Sequence, residues 1–405
     1  MTQETVLIAA LSGRALAASA RRAGYTPLVV DAFSDSDMRE SAGAFRCLGA
    51  AAHQGFRAGS LIAALRELER DAERAPIGLV LGSGFEDTPR LVATLAKHFT
   101  LLGNCAEAIA KAKRPEAFFS LLDRLGIAHP ETRLDTPEAP EGWLSKRIGG
   151  SGGAHVVDLM RGVPARGRYI QRRIEGTPAS VLAIASRGSF RIAGFSRQWA
   201  IGTGPRPHRY GGAAGPADLG SAIEARMAAA AEGVNAALGL VGLVSFDFLL
   251  NGEEPFLLEV NPRPGATLDI FDDSGGSLFK AHVSACLGRD LGRDLGHESA
   301  LPAPLPGARA AGVLYAGDCP FTAPALAWPK WTSDRPCPGM RIPRYRPIAT
   351  VQADGETALA AESNCRQRLD ELAHMLYGRA ADTEHNDAKI RRPRSERFGA
   401  SGQSR

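Results

Sequence analysis

Cysteine is sparse: the 405 residues hold six (Cys47, Cys105, Cys286, Cys319, Cys337 and Cys365), far apart and with no CxxC pair. Such spacing argues against both a zinc site and a disulfide framework. No apolar run reaches the ~18 residues needed to span a bilayer. The N-terminus MTQETVLIAALSG has no basic region ahead of its short run Val6–Leu11. A cytoplasmic protein without a membrane partner is expected. Charge of one sign is also lacking: the net +4 is too small to mark a nucleic-acid partner. Lysine is scarce, with seven (Lys97, Lys111, Lys113, Lys146, Lys280, Lys330, Lys389) among 48 basic residues. Where Ala, Arg, Gly and Pro dominate, a lysine that persists is a candidate for a role arginine cannot fill. The remainder is ordinary for a globular chain, 44% hydrophobic and 23% charged. Its 45 glycines and 26 prolines follow no period, which excludes collagen-like and repeat architectures.

The length suggests two to three domains at ~150 residues each. Residues 5 to 31 read as β-α-β, with an apolar run Val6–Ala10, a turn at Ser12-Gly13-Arg14, a helix Ala15–Ala23 and a strand Leu28–Val30. A helix over 59–74 and a buried run Ile77–Leu81 continue the alternation, which implies a parallel sheet. This α/β domain is assigned to 1–103, with the loop Gly82-Ser83-Gly84-Phe85-Glu86 where open α/β sheets bind ligands. An α+β core over 104–286 follows. It contains a helix 115–125 stopped at Gly126, short antiparallel strands between 143 and 200, an Ala-rich helix 216–238, and strands 242–250 and 256–260 joined at Asn251-Gly252. Residues 287–308, with Gly-Arg-Asp-Leu at 288 and again at 292, read as a linker. A small β-rich cap ending in a helix covers 309–379, and the polar tail 380–405 is expected to be disordered.

Two constellations carry chemistry. In Trp143-Leu144-Ser145-Lys146-Arg147-Ile148-Gly149-Gly150-Ser151-Gly152-Gly153 a strand delivers a lysine just before a glycine-rich loop. Glycines admit phosphate oxygens close to backbone N–H groups, and the ammonium supplies countercharge. The order is not that of a P-loop, where the lysine follows the glycines. The second pairs Val244-Ser245-Phe246-Asp247-Phe248 with Leu257-Leu258-Glu259-Val260-Asn261-Pro262-Arg263. Glu259 and Asn261, two apart on a strand, share a face. With Asp247 beside them they form an all-oxygen set suited to Mg²⁺ (or Mn²⁺), one or two ions, with Arg263 following for anionic oxygens.

In this order the motifs resemble the ATP-grasp superfamily, over about residues 100 to 275. The resemblance implies an ATP-grasp fold with a Rossmann-like preATP-grasp domain ahead of two α+β subdomains that clasp ATP. Carried over, Lys146 contacts the α/β-phosphates, Gly149, Gly150, Ser151, Gly152 and Gly153 form the lid, and Gln171-Arg172-Arg173-Ile174 form the hinge against adenine. Asp247, Glu259 and Asn261 hold the metal, and Arg263 stabilises the transferred phosphoryl group, so that Arg263 and Lys146 are the catalytic candidates. Lys113 is chosen as the second nucleotide-binding lysine, with Lys111 as the alternate. The family's acidic first hinge residue is here Gln171, and Glu175 is the candidate for ribose. His155, just after the lid, is weighed between acid/base and loop roles.

The resemblance implies an ATP-dependent ligase that joins a small-molecule carboxylate to an amine through an acylphosphate. The whole chain is similar to the predicted ATP-dependent carboligases, with tyramine–glutamate ligase and biotin carboxylase-like proteins as relatives. That implies a place in the biosynthesis of a one-carbon-carrier coenzyme of the methanofuran or methanopterin type. Arg197, Arg206 and Arg209 are candidates for binding a substrate carboxylate, and 265–271 for facing the acceptor. A homodimer is the default expectation. A carboxyphosphate-forming carboxylase and a non-catalytic nucleotide-binding regulator are the alternatives.

Overall fold

A computed structural model describes residues 3–159, 166–202, 206–289 and 306–378. Most of the expected linker 287–308 and all of the expected tail 380–405 lie outside them. Four parallel strands, β1 (Thr5–Ala9), β2 (Thr26–Asp31), β3 (Ala44–Cys47) and β4 (Leu79–Leu81), form the first sheet in the order β3-β2-β1-β4. Every residue of β1 is buried, as a parallel strand covered on both faces must be. The helix Ala58–Asp71 supplies part of that cover by burying Leu61, Ala64, Leu65 and Leu68, one stripe at helical spacing. β3 escaped the sequence reading because Ala44-Phe45-Arg46-Cys47, half-exposed at the sheet edge, has no apolar run to betray it.

The helices Ala106–Lys113 and Pro115–Leu125 lead into the core; the second opens on proline and closes on Gly126 at φ +64°. Next come β5 (Thr132–Arg133), β6 (Trp143–Arg147), β7 (Val157–Asp158) and β8 (Arg168–Arg172), an antiparallel sheet in the order β5-β8-β6-β7. The remaining strands are β9 (Thr177–Ser186), β10 (Ser189–Ala200), β11 (Tyr210–Gly215), β12 (Gly242–Asn251), β13 (Glu254–Asn261) and β14 (Ala308–Tyr315). After them run β15 (Phe321–Thr322), β16 (Thr332–Ser333), β17 (Arg341–Ile342) and β18 (Pro347–Gly355). Eight of these make one antiparallel sheet in the order β13-β12-β9-β10-β11-β14-β18-β16, while β15 and β17 pair separately.

The strands expected as a separate cap thus continue the core sheet, through the pairing of β11 with β14. The helix Ser221–Leu238 covers one face of that sheet, packing Met227, Ala231 and Val234 with Val181, Phe246, Phe248 and Val260. It begins five residues later than expected because Gly220 sits at φ +90°, outside the helical region. The last helix, Ala358–Tyr377, starts where the Thr357 hydroxyl accepts from the Ala360 N–H at 3.2 Å, and it buries Ala361, Cys365, Leu369 and Leu372. Among the described residues no helix is long and apolar enough to cross a membrane.

Candidate active site

β12 and β13 bring the acidic motif together. Their register sets Asp247 opposite Glu259 and Ser245 opposite Asn261. The Asn261 amide donates to Asp247 Oδ2 at 2.8 Å and to Glu259 Oε1 at 3.3 Å. Gln198, on β10, donates to Asp247 Oδ1 at 3.0 Å and holds that carboxylate from the other side. The sequence reading missed Gln198, whose only signal is a polar residue sharing a strand face with Ser196. Burial pushes the Asp247 carboxyl well above the usual range, and the Glu259 charge adds to the rise. Burial also works against the Glu259 carboxylate, but Lys113, with Lys146, pulls it below its ordinary value.

Lys113 is the lysine that reaches these strands. Its ammonium donates to Asn261 Oδ1 at 3.0 Å and lies 3.4 Å from Glu259 Oε2, with a side chain only 6% exposed. The alternate, Lys111, is exposed and paired with Glu107 at 2.8 Å. Lys113 sits behind the donor set rather than on the wall of the cleft in front of it. Two carboxylates fit a hard divalent cation; Asn261 would add an amide oxygen only with its side chain turned over, since here its Nδ2 faces both carboxylates and its Oδ1 faces Lys113. An incoming cation would also relieve the repulsion that now raises Asp247. Among the described residues no group of three His, Cys, Asp or Glu converges, so Asn261 is needed to complete a three-oxygen set.

Lys146 projects from β6 into the same cleft, and Gln171 stands on the neighbouring β8. The loop after Lys146 is folded down: Tyr210 N donates to Gly152 O at 2.9 Å, and a Cβ on Gly153 (φ +69°) would lie 1.9 Å from the His208 carbonyl. A Cβ on Gly149 would fall 2.6 Å from Asp87 Cα. Ser151, Gly152 and Gly153 line the cleft, whereas Gly149 and Gly150 anchor the loop to its neighbours. His155 lines the cleft as well, kept neutral by burial that lowers its pKa to about 4.

The expected hinge Gln171–Ile174, with the expected ribose ligand Glu175 after it, runs from the end of β8 toward β9 along the cleft. The N–H groups of Arg172 and Arg173 already donate to Glu131 O and Gly142 O, so neither is open to a ligand. Glu175 is exposed and pairs with Arg173 at 3.3 Å.

Arg263 is fixed from the first domain. Its Nε donates to Glu86 Oε1, and Glu86 Oε2 accepts from the Gly84 and Phe85 N–H groups at 2.8 and 2.9 Å. The loop singled out after β4 therefore contributes a buried carboxylate that aims the arginine. The whole cleft encloses about 810 Å³. Arg197, Arg206 and Arg209 do not line it: Arg209 lies over the Tyr315 ring at 3.8 Å and Arg206 over Tyr345 at 5.1 Å. Their expected role as substrate-carboxylate ligands in the cleft is not met, because the β10–β11 connection carries two of them onto those rings.

A clasp of two β-subdomains, with two lysines, a glycine lid and a carboxylate–amide set, defines the nucleotide-grasping class of fold. Residues 116–267 match the family model described as the ATP-grasp domain. Among solved structures, the chain is similar to N5-carboxyaminoimidazole ribonucleotide synthetase from Thermus thermophilus (17% identity, 92% of this chain and 98% of that one, TM-score 0.64). It is also similar to biotin carboxylase from Campylobacter jejuni, solved as a β,γ-ATP complex (16% identity, 90% and 91% covered, TM-score 0.65). A curated relative, the carbamoyl phosphate synthase large chain of Myxococcus xanthus, is 23% identical over 244 residues, 54% of this chain. The match spans only 22% of that relative's length.

Proposed function

We propose that the protein is an ATP- and Mg²⁺-dependent carboxylate–amine ligase that works through an acylphosphate. One observation carries the reading: Lys146, the docked glycine lid, the Asp247–Glu259–Asn261 set and Arg263 all face one cleft, with Lys113 directly behind. Asp247, Glu259 and Asn261 would hold Mg²⁺, which when bound offsets phosphate charge. Lys146 binds the phosphates of ATP, and Ser151–Gly153 cover them and exclude water. Arg263, held by Glu86, lies against the oxygens of the γ-phosphoryl group as it passes from ADP to the substrate carboxylate. The amine nitrogen then attacks the acyl carbon, the C–O bond to phosphate breaks, and the nitrogen gives up a proton as the amide forms. The similar biotin carboxylase, solved as a β,γ-ATP complex, supports the ATP-binding part of this reading, and the resemblance to tyramine–glutamate ligase supports the amide-forming part and the coenzyme pathway.

The test is ADP release from Mg-ATP with pools of carboxylates and amines, including glutamate with tyramine, beside a Glu259→Ala blank. Turnover that needs one acid and one amine, and is absent from the blank, is expected. Turnover with bicarbonate alone would reassign the protein as a carboxylase. ATP binding without turnover in any pool would reassign it as a regulator.

A further inference from the structure

The segment that leaves the first domain clasps the two site strands from outside the cleft. Asn104 stands just ahead of the helix Ala106–Lys113 and is 5% exposed. Its Oδ1 accepts from the Val241 N–H at 2.9 Å, and its Nδ2 donates to the Val241 and Pro262 carbonyls, both at 3.0 Å. Both amide protons are used, and one backbone N–H with two backbone carbonyls fixes which way the amide points. Val241 immediately precedes β12 and Pro262 immediately follows β13, the strands that carry Asp247, Glu259 and Asn261.

The sheet alone does not fix this end of β13. Among the described residues β13 is an edge strand whose ladder partner is β12, and their register ends at Ser245 opposite Asn261. Before Ser245, β12 pairs with β9 instead. The chain from Asn261 to Arg263 therefore runs on without a strand beside it. The Arg263 N–H turns back to the Asn261 carbonyl at 2.8 Å, and Pro262 has no N–H to offer. The buried Pro262 carbonyl still needs a donor, and Asn104 supplies it. The helix that follows Asn104 ends on Lys113, which reaches Asn261 and Glu259. One short segment thus holds the Glu259–Arg263 run twice, at its backbone through Asn104 and at its side chains through Lys113.

We propose that Asn104 is a positioning residue for the metal site: by pinning Pro262 to Val241 it keeps Asn261 and Glu259 beside Asp247, and it sets where Arg263 begins. The proposal rests on the assignment of Asp247, Glu259 and Asn261 to Mg²⁺, and it holds whichever acid and amine are joined. Asn104 touches neither cation nor nucleotide. Without its amide, the β12–β13 ladder up to Ser245 persists while the ends beyond it are free to part. Lys146 and the glycine lid stand on and after β6, so their hold on a nucleotide does not pass through this clasp.

Mn²⁺ uptake by the full chain saturated with ADP is read from the paramagnetic-resonance signal of free Mn²⁺, against a protein-free ADP blank, and ADP binding without metal is read by calorimetry. Asn104→Ala should weaken Mn²⁺ about tenfold, the low end of what losing an outer-shell partner costs, and leave metal-free ADP affinity within a factor of about two. Asn104→Ser keeps one donor and one acceptor on a shorter stem; it should weaken Mn²⁺ severalfold, and it serves if the alanine variant fails to fold. Leu369→Ala, buried in the last helix and away from the cleft, should lower the urea midpoint and leave both affinities as they are, which separates positioning from stability. Unchanged Mn²⁺ affinity in the Asn104 variants, the same loss in Leu369→Ala, or an equal fall in metal-free ADP affinity would overturn the proposal. A wild-type ADP complex that takes up no Mn²⁺ would instead sink the metal assignment itself, and the proposal with it.

Discussion

Lys146 Nζ donates to Gln171 Oε1 at 2.5 Å across the β6–β8 pair, and Gln171 Nε2 donates onward to Thr132 Oγ1 at 3.1 Å. A buried ammonium is thus held by a neutral amide. Burial lowers its pKa to about 8, and the Glu259 charge only partly opposes that. At neutral pH Lys146 keeps its charge, as its proposed role in binding phosphate requires, but begins to lose it just above. ADP affinity should therefore be flat below pH 8 and fall by about tenfold per pH unit above it, with proton uptake on binding. Gln171→Glu should move that break to higher pH and weaken ADP at pH 7, because a carboxylate then competes for the ammonium. Calorimetry in buffers of different ionisation enthalpy measures both effects. A flat profile to pH 9.5 in the wild type would remove Lys146 from the phosphate site.

Glu86 is 5% exposed, and its position is set by two backbone N–H groups of its own loop. Burial raises its pKa, but Arg263 and Lys113 outweigh that and leave it lowered, so it faces Arg263 as a carboxylate. Glu86→Gln keeps the shape and removes the charge. The arginine loses its aim, and turnover should fall about ten- to a hundredfold, less than the ~10²–10³ expected from deleting a transition-state donor outright. ADP affinity should stay within a factor of about two. Steady-state rates beside ADP titrations separate the two readouts. An equal loss in both would make Glu86 a structural residue only.

Gly152 and Gly153 share φ +69°, yet only Gly153 has a neighbour in the way, the His208 carbonyl. Alanine at either position pays the left-handed backbone penalty of ~1–2 kcal/mol. At Gly153 it must also displace main chain, so the lid cannot dock as it does here. On the ligase reading, Gly153→Ala should raise the ratio of ADP released to amide formed, since water would then reach the proposed acylphosphate, and Gly152→Ala should change that ratio much less. Coupled assays of ADP and product decide it, and equal ratios in the two variants would refute the lid assignment.

Much of the frame was legible because periodicity and punctuation agreed. The Asn251-Gly252 turn, Gly126 at the helix end and the burial of β1 follow from local rules. The Asp247, Glu259 and Asn261 set was legible because strand alternation places i and i+2 on one face. What was not legible depends on distant pairing. Ser12-Gly13-Arg14 reads as a turn, and nothing local says that Arg14 meets Asp269 and Asp334, 255 and 320 residues away. Gln198 is unremarkable until β10 and β12 are known to flank β9. Conversely, the arginines of the β10–β11 connection look like substrate ligands until tyrosines from β14 and the residues before β18 are seen beneath them.

His282 belongs to the helix Ser277–Cys286 and is 1% exposed. Its Nδ1 accepts from the Leu243 N–H at 2.8 Å, and its Nε2 lies 3.0 Å from the Leu102 carbonyl. Only the neutral ring protonated on Nε2 satisfies both neighbours. A Cβ at Gly242 (φ +76°) would come within 2.4 Å of Nδ1, so the glycine makes room for the ring. Burial depresses the pKa to about 4, from 6.5 in an unfolded chain. Between those values the unfolded chain binds the extra proton. This contribution to stability is therefore complete above pH 6.5 and is lost as pH falls toward 4, at up to ~1.4 kcal/mol per pH unit. His282→Gln should be less stable at pH 7, having traded a fixed donor–acceptor pair for a flexible one, yet should lose less on acidification. Carboxylates protonate over part of the same range in both proteins, so the informative quantity is the wild-type minus variant difference in urea midpoint between pH 7 and pH 5. That difference should shrink with acidification; parallel curves would mean that His282 is not the buried neutral group clamping Leu102 to β12.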